Sequence, residues 1–407
     1  MFCLNHCSGT PRLTRRSLKL SPSAAALCFL GSLLFAIAPG SSAQTQAPGG
    51  ISLPTSLRIQ NPGWWPTKGD RSRDEYAGPA ECAKCHADKA LPYRNTAMAH
   101  AASRAADSEH LRRHDHLTFE LGPYKYELVT TEQKSVLKVS DPKSSFTADL
   151  LWAMGLGRMG QTYLYQHNGN FYESHLSFYG VPQALDITPG HPPELPASTE
   201  NAAGRLLSQD DTQRCFGCHT SFSKTKNEFD PASASPGVTC ESCHGPGAKH
   251  VTAMTSGSEQ PTADAIFNPA ALNPSDAVDF CGACHRTWQD VVGSGLMSIG
   301  LFNVRFAPYR LENSRCWKQQ DARLTCAACH DPHKQLVHET SFYDSRCLAC
   351  HVEKGAKLTA DHPGHPCPVS NKDCVTCHMP KLEPPGLHSA FTDHWIRIVR
   401  PGKPYPN

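Results

Sequence analysis

The chain has 407 residues, 19% of them charged, and a formal net charge of +2 at pH 7. This balance gives no basic surface of the kind that nucleic-acid binding requires, so a nucleic-acid partner is not expected. The chain also contains 33 prolines, 29 glycines, 19 cysteines and 22 histidines. The prolines and glycines predict a loop-rich chain, and the cysteines and histidines are its main chemical resource.

The first 43 residues have the features of an export signal. A cationic region precedes a 15-residue apolar segment at 24–38, and Ser41-Ser42-Ala43 is a small-residue cleavage site. The apolar segment is shorter than the roughly 20 residues of a membrane-spanning helix. Since residues 1–43 carry four basic and no acidic residues, their removal changes the formal charge from +2 to −2. We expect an exported protein, periplasmic in a bacterium, without stable membrane insertion after cleavage.

Residues 44–74, rich in Pro, Gly and Ser, are predicted to be a linker or extended arm. After them a Cys-x-x-Cys-His pentapeptide recurs. Motifs 1 to 7 are, in chain order, Cys82–His86, Cys215–His219, Cys240–His244, Cys281–His285, Cys326–His330, Cys347–His351 and Cys374–His378. This is the attachment signature of c-type haem. Zinc sites also use Cys-x-x-Cys but do not need a histidine after every copy. We therefore expect seven covalently bound haems c.

The pentapeptides assign most of the cysteines. The predicted haem-attachment residues are Cys82, Cys85, Cys215, Cys218, Cys240, Cys243, Cys281, Cys284, Cys326, Cys329, Cys347, Cys350, Cys374 and Cys377. The histidine that follows is the proximal iron ligand of each haem, namely His86, His219, His244, His285, His330, His351 and His378. Outside the leader only Cys316 and Cys367 remain, and they form either a disulfide or two thiols.

The rest of the chain divides by its patterns. Residues 75–116 carry motif 1 and are predicted to be a first haem segment. Polar and apolar residues alternate in 124–130 and 135–140, and Asn168-Gly169 is a hairpin turn, so 117–204 is predicted to be a haem-free β-rich insert with its sheet at about 117–180. Six motifs fall in 205–395, a six-haem domain of short helices, before a tail at 396–407. The predicted fold class is mainly α with extensive loops, wrapped around haems, with a small antiparallel insert.

Three phrases point to a family: Cys240-Glu-Ser-Cys-His-Gly-Pro-Gly-Ala-Lys-His250, Cys326-Ala-Ala-Cys-His-Asp-Pro-His333 and Cys374-Val-Thr-Cys-His-Met-Pro380. They resemble multihaem cytochromes related to the tetrahaem cytochrome c of ammonia oxidisers, a group that includes cytochrome c nitrite reductase and hydroxylamine oxidoreductase. The resemblance covers roughly 205–395 and motif 1. It implies that His250 and His333 are distal ligands of neighbouring haems. Nitrite reductases of this group mark the catalytic haem with Cys-x-x-Cys-Lys, which does not occur here.

Histidines exceed the number that the motifs need. Position relative to the motifs adds six further candidates for distal ligands: His394, His388, His365, His362, His100 and His175. Such a surplus favours bis-histidine coordination, which saturates the iron and suits electron transfer.

Two functions follow. The first is an exported cytochrome that transfers electrons between redox partners along closely spaced, mostly bis-histidine haems, with no catalytic residue. Its partners are other redox proteins or a membrane quinol-linked complex. The alternative is a multihaem oxidoreductase with one open-site haem that reduces or oxidises a small nitrogen or sulfur compound.

Overall fold

The computed structural model describes residues 71–192, 194–226, 228–256, 266–318, 323–351 and 367–400, together with Gly402 and Tyr405. The predicted leader, most of the predicted linker and the candidate ligands His362 and His365 lie outside these residues. Among the described residues no helix is long and apolar enough to cross a membrane.

The largest element of the described chain is a nine-stranded antiparallel sheet. Its strands are β1 (Ala102–Arg104), β2 (His116–Leu121), β3 (Tyr124–Thr130), β4 (Ser135–Ser140), β5 (Ser145–Gly157), β6 (Gly160–His167), β7 (Asn170–Tyr179), β8 (Ala184–Ile187) and β9 (Gly204–Leu206). Strands β2 to β8 pair in chain order, whereas β1 pairs with β5 and β9 with β7.

Alternating side chains explain the strands that the sequence predicts. In β3, Tyr124, Tyr126 and Leu128 are buried and the residues between them are more exposed, because successive side chains point to opposite faces. The hairpin between β6 and β7 turns at Asn168 and Gly169, both with positive φ (50° and 78°). Two positive φ values in a two-residue turn match the right-handed twist of the flanking strands.

The sheet is larger than expected, and the prediction of a mainly α fold with a small insert is wrong. The strands run from Ala102 to Leu206 rather than over about 117–180. Strands β1 and β9 have three residues each, too few to show a period of two. In β5, register shifts between Leu150 and Trp152 and again beyond Met154 interrupt the alternation. The sheet also has its own buried core, in which Tyr163 and other aromatic side chains are fully enclosed.

The rest of the described chain consists of short elements. The helices are α1 (Pro79–Cys85), α2 (Ala87–Tyr93), α3 (Glu109–Arg113), α4 (Thr199–Ala203), α5 (Gln209–His219), α6 (Glu241–His244), α7 (Ala248–Thr255), α8 (Pro274–His285), α9 (Trp288–Gly293), α10 (Ala307–Glu312), α11 (Arg315–Lys318), α12 (Cys326–Cys329), α13 (Thr340–Leu348) and α14 (Cys374–His378). Segments of 3-10 helix span Arg73–Glu75, Ala105–Asp107, Pro269–Ala271 and Leu296–Arg305. Two-residue strands pair as β10 (Thr220–Ser221) with β13 (Ser235–Pro236), β11 (Lys224–Thr225) with β12 (Glu228–Phe229), and β14 (Lys381–Leu382) with β15 (Phe391–Thr392).

Every motif begins on a helix or at the residue before one, and motif 6 continues past the end of its helix at Leu348. Six motifs begin inside one, and motif 3 begins at Cys240, the residue before α6. Capping fixes the starts of the two longest of these helices: Ser208 accepts a hydrogen bond from the backbone N–H of Asp211, and Asn273 accepts one from that of Asp276. Since residues three apart share a helix face, the two thiols of a motif lie on one side.

Candidate haem sites

Three motif histidines face a second histidine ring at nearly the same distance. The ring centroids are separated by 6.3 Å for His86 and His250, 6.1 Å for His244 and His333, and 6.2 Å for His330 and His394. A bond between a metal and an imidazole nitrogen is about 2.0 Å long, so two rings on opposite sides of one metal should have centroids about 6 Å apart. The spacing in all three pairs therefore fits an iron held between two histidines.

Four histidine rings, two of them from these pairs, are also oriented for metal binding through Nε2. In each of the following pairs the ring Nδ1 lies within hydrogen-bond distance of a backbone carbonyl oxygen: His219 with Ala101 (2.9 Å), His244 with Phe267 (3.0 Å), His378 with Arg397 (2.9 Å) and His394 with Thr392 (3.0 Å). A carbonyl oxygen only accepts, so Nδ1 carries the proton and donates. The lone pair of Nε2 is then available to a metal.

For three of the paired histidines, burial favours the neutral form that binds metals. Burial, together with the neighbouring ring of His330, lowers the pKa of His394 to about 4. The pKa of His333 is lowered by burial and by His244, and that of His330 by burial and by His285. A neutral imidazole has the free nitrogen lone pair that a metal requires.

The first cysteines of six motifs lie close together in three pairs. In each pair the two thiols are near enough to shift each other's pKa: Cys82 and Cys240, Cys281 and Cys326, and Cys347 and Cys374. Motif 1 therefore lies against motif 3, motif 4 against motif 5, and motif 6 against motif 7.

A buried carboxylate holds motif 1 to motif 3. Glu241, inside motif 3, is 1% exposed. Its carboxylate accepts hydrogen bonds from the backbone N–H groups of Ala77 (2.8 Å), Gly78 (2.9 Å) and Gly247 (2.8 Å). The first two donors lie immediately before α1, which carries motif 1. The charge of Glu241 is thus satisfied by backbone donors from both sides of the contact.

Motifs 6 and 7 are joined by a similar device. Asp344 on α13 accepts hydrogen bonds from the backbone N–H groups of Asp373 (2.8 Å) and Cys374 (2.9 Å) at the start of α14. These donors lower the pKa of the Asp344 carboxyl group. Sequence patterns identified neither Asp344 nor Glu241. The sequence did contain a signal for Glu241, because a carboxylate between the two cysteines of a predicted haem-attachment motif has to find hydrogen-bond donors close to the haem.

Comparisons with known proteins find multihaem cytochromes among the similar proteins. The family model described as cytochrome c554 and c-prime matches residues 194–245, which contain motifs 2 and 3. The multiheme cytochrome MtrA of Shewanella baltica (strain OS185) is 25% identical over 189 residues, 44% of this chain and 46% of that protein. The chain therefore spans less than half of that relative. Over these parts the chain is similar to multihaem c-type cytochromes.

Among solved structures, the match with the outer cell wall cytochrome OcwA covers 80% of this chain and 80% of that chain, at 16% identity and a TM-score of 0.39. A likeness at this level carries no structural argument.

Three candidate ligands are not placed opposite a motif histidine in the described structure. Nε2 of His100 donates to the carbonyl oxygen of Arg94 (2.7 Å). Nε2 of His388 lies 2.6 Å from a carboxylate oxygen of Asp186, and its ring packs edge-on against Tyr179. In both histidines the nitrogen that would bind iron is already engaged.

The third of these candidates, His175, lies inside the sheet. Its ring is 2% exposed and contacts His191, with centroids 4.6 Å apart. Burial, with a further contribution from His191, lowers the pKa of His175 to about 4. Outside the motifs, Cys367 is exposed and forms no disulfide.

Proposed function

We propose that the protein is an exported cytochrome that transfers electrons between redox partners through seven covalently bound haems, most of them with two histidine ligands. The observation that carries this proposal is the contact between motifs, because the thiol pairs bring haem-attachment points from distant parts of the chain together. Each bound haem supplies an iron that accepts and releases one electron. Paired histidines would hold that iron from both sides and leave it closed to other ligands.

The contacts link the motifs into one connected set, although not in chain order. From motif 1 the Cys82–Cys240 contact leads to motif 3. There His333, three residues beyond motif 5, lies opposite His244 and connects motif 3 to motif 5. Such links across long sequence separations leave little polypeptide between neighbouring attachment sites.

Motif 5 is the junction of this set. It contacts motif 4 through its first cysteine, and its second cysteine, Cys329, interacts electrostatically with Cys347 of motif 6. Motif 4 in turn meets motif 2, where the Cys218 thiol lies 3.8 Å from the carbonyl oxygen of Ala283. With the pairing of motifs 6 and 7, all seven motifs are connected.

The comparisons support the same reading at a coarser level. The relative from Shewanella is named a multiheme cytochrome, and the matched family model covers two of the seven motifs. We place the protein close to the tetrahaem carriers of ammonia oxidisers on its motif phrases. Export is proposed on the features of residues 1–43. Other redox proteins, or a quinol-linked membrane complex, are the proposed partners.

The proposal is tested on the purified holoprotein. Its mass should equal that of the chain from Gln44 plus seven haems, which checks both the cleavage and the haem count. Low-temperature EPR of the oxidised protein should show mainly low-spin haem, and film voltammetry should show reversible one-electron transfer. A large fraction of high-spin haem, with ready binding of carbon monoxide after reduction, contradicts the carrier function.

A second candidate function is favoured by the surroundings of motif 4. Among the described residues no second histidine ring faces His285. Arg286 follows it directly, and its pKa is lowered by burial and by the charge of Arg214. The pKa of Arg305 is likewise lowered by burial and by Arg286. Grouped cations beside the haem that motif 4 would hold suit a small nitrogen or sulfur oxyanion. Assays with nitrite, hydroxylamine and tetrathionate, using a reduced dye as donor, test this function, and no turnover with any of them counts against it.

A further inference from the structure

One short segment near the carboxyl end of the chain reaches two motifs. The ring of His394 lies opposite His330 of motif 5. Three residues later, the carbonyl oxygen of Arg397 accepts the hydrogen bond from Nδ1 of His378 in motif 7, and the backbone N–H of Arg397 donates to the carbonyl oxygen of His378 (3.2 Å). The placement of residues 394–397 therefore affects the axial histidines of both motifs.

A fully buried carboxylate fixes this segment. Asp393 is 0% exposed and accepts two parallel hydrogen bonds from the guanidinium of Arg310, each 2.8 Å long. It accepts a third from Arg397 (2.8 Å) and a fourth from the backbone N–H of Trp395 (3.0 Å). The paired bonds from a planar guanidinium set the plane of the carboxylate as well as its position. We call Arg310, Asp393 and Arg397 the buried triad.

Helix α10 and the residues after it hold the triad from one side. The guanidinium carbon of Arg310 lies 4.9 Å from the ring centre of Trp395 and 4.7 Å from that of Tyr405. Beyond the helix, the hydroxyl of Ser314 donates to the carbonyl oxygen of His394 (3.3 Å) and accepts from the backbone N–H of Ile396 (2.9 Å). His394 is thus fixed on both sides, through Asp393 before it and through Ser314 after it.

Stability alone does not account for these charges. Burying a carboxylate and two guanidinium groups has a large desolvation cost, and replacing buried ion pairs by apolar groups of similar volume is often neutral or stabilising. Charged groups with paired hydrogen bonds also fix the orientation of the carboxylate. The orientation of Asp393 in turn fixes the backbone of the next residue, His394, and through Arg397 it fixes the ring of His378.

We propose that Asp393, held by Arg310 and Arg397, is a positioning residue that sets the axial histidines of motifs 5 and 7 together. This rests on the proposed ligation of the motif 5 iron by His394. Motif 5 is also the junction of the connected motifs, so the triad would affect the motif through which electrons pass between the others. Loss of the carboxylate should loosen His394 and weaken the hydrogen bond to His378.

The test compares holoproteins that carry His394→Ala, Asp393→Asn or Arg310→Lys. His394→Ala should convert one haem in seven to the high-spin form in EPR of the oxidised protein and allow one carbon monoxide to bind after reduction. Asp393→Asn keeps the shape of the side chain, and it should give a partial form of the same signal and shift the potentials of two haems. Arg310→Lys keeps the charge but loses the paired bonds, so it should give a smaller change in the same direction. Glu127→Gln, which breaks the exposed ion pair with Lys138 in the sheet, is the control and should give the wild-type EPR spectrum.

The outcomes distinguish the ligation of iron by His394 from the positioning role of Asp393. An unchanged EPR spectrum for His394→Ala means that His394 is not an iron ligand, and both the ligation and the positioning role are then wrong. If His394→Ala gives the high-spin signal while Asp393→Asn and Arg310→Lys keep wild-type spectra and potentials, the positioning role alone is overturned, even if their melting temperatures fall. If Asp393→Asn does not assemble with haem, Arg310→Lys and Arg397→Lys decide in the same way.

Discussion

The imidazole rings of His244 and His333 lie nearly parallel, with centroids 6.1 Å apart and planes inclined by only 9°. His244 belongs to motif 3, whereas His333 follows motif 5. A single iron held between them would connect two attachment segments that are 82 residues apart at their closest. This pair is therefore the most direct place to test the ligation scheme.

Replacing His333 by alanine should open one axial position of the motif 3 iron. We expect one of seven haems to become high-spin in EPR and one carbon monoxide to bind per reduced protein. His333→Met should instead keep the haem low-spin and raise its potential, because a thioether donates less electron density than imidazole. The control is His338→Ala, since His338 is an exposed residue of the same segment whose Nε2 lies 3.3 Å from Arg158. Equal spectra for the wild type and His333→Ala contradict the assignment.

Replacing Glu241 by glutamine should destabilise the contact between motifs 1 and 3. The amide keeps the shape but loses the charge, and its NH₂ group cannot accept a bond from Ala77, Gly78 or Gly247. Hydrogen bonds to a charged group contribute about 1.5–3 kcal/mol, and a buried donor left unpaired costs about 1–3 kcal/mol. We expect a lower melting temperature and, by mass spectrometry, a fraction of protein that lacks one haem. Glu228→Gln, at an exposed carboxylate, should behave as the wild type.

The sequence predicted local features of the chain better than the extent of the sheet, while haem attachment at the seven motifs stays a prediction. Local spacing identifies a pentapeptide, and it also identified the hairpin at Asn168 because turn chemistry is local. The extent of the sheet was not predictable in this way, since β1 and β9 gain their hydrogen bonds only from strands that lie far away in the sequence.

The same distinction applies to the ligands. The motif phrases favoured His250 and His333, and the structure brings both opposite motif histidines, as it does His394. Their role as ligands stays a prediction. By contrast, His388 follows the last motif in sequence as His394 does, yet its ring contacts Tyr179 of the sheet. Sequence separation alone could not distinguish the two histidines. Whether each one faces a motif histidine depends on which part of the fold its loop packs against.

His388→Ala should therefore leave all seven haems spectroscopically unchanged. Its Nε2 is engaged by Asp186, and no motif histidine faces it in the described structure. The expected effect is a modest loss of stability from the broken contact between the carboxyl-terminal region and β8. EPR and redox titration are compared with those of His394→Ala as the matched variant. One new high-spin haem in His388→Ala shows instead that the loop rearranges and His388 binds iron.

The buried ring of His175 should make the stability of the sheet sensitive to acid. Its pKa is about 4 in the folded protein, and in an unfolded chain the ordinary value is about 6.5. As the pH falls below about 6.5, the unfolded state takes up a proton that the folded state cannot hold. Because of this ring, the free energy of unfolding is unaffected above that pH and falls progressively down to about pH 4, by up to about 3 kcal/mol.

His175→Leu removes this titration and tests its size. We expect the free energy of unfolding of the variant, followed by circular dichroism of the sheet in guanidinium, to depend less on pH between 7 and 4.5 than that of the wild type. The neighbouring His191 is retained in both proteins, so the difference reports the ring at position 175. His116→Leu, at an exposed position at the start of β2, should keep the wild-type pH dependence. Parallel curves for the wild type and His175→Leu mean that position 175 binds no additional proton on unfolding, because its ring is already protonated or solvated in the fold.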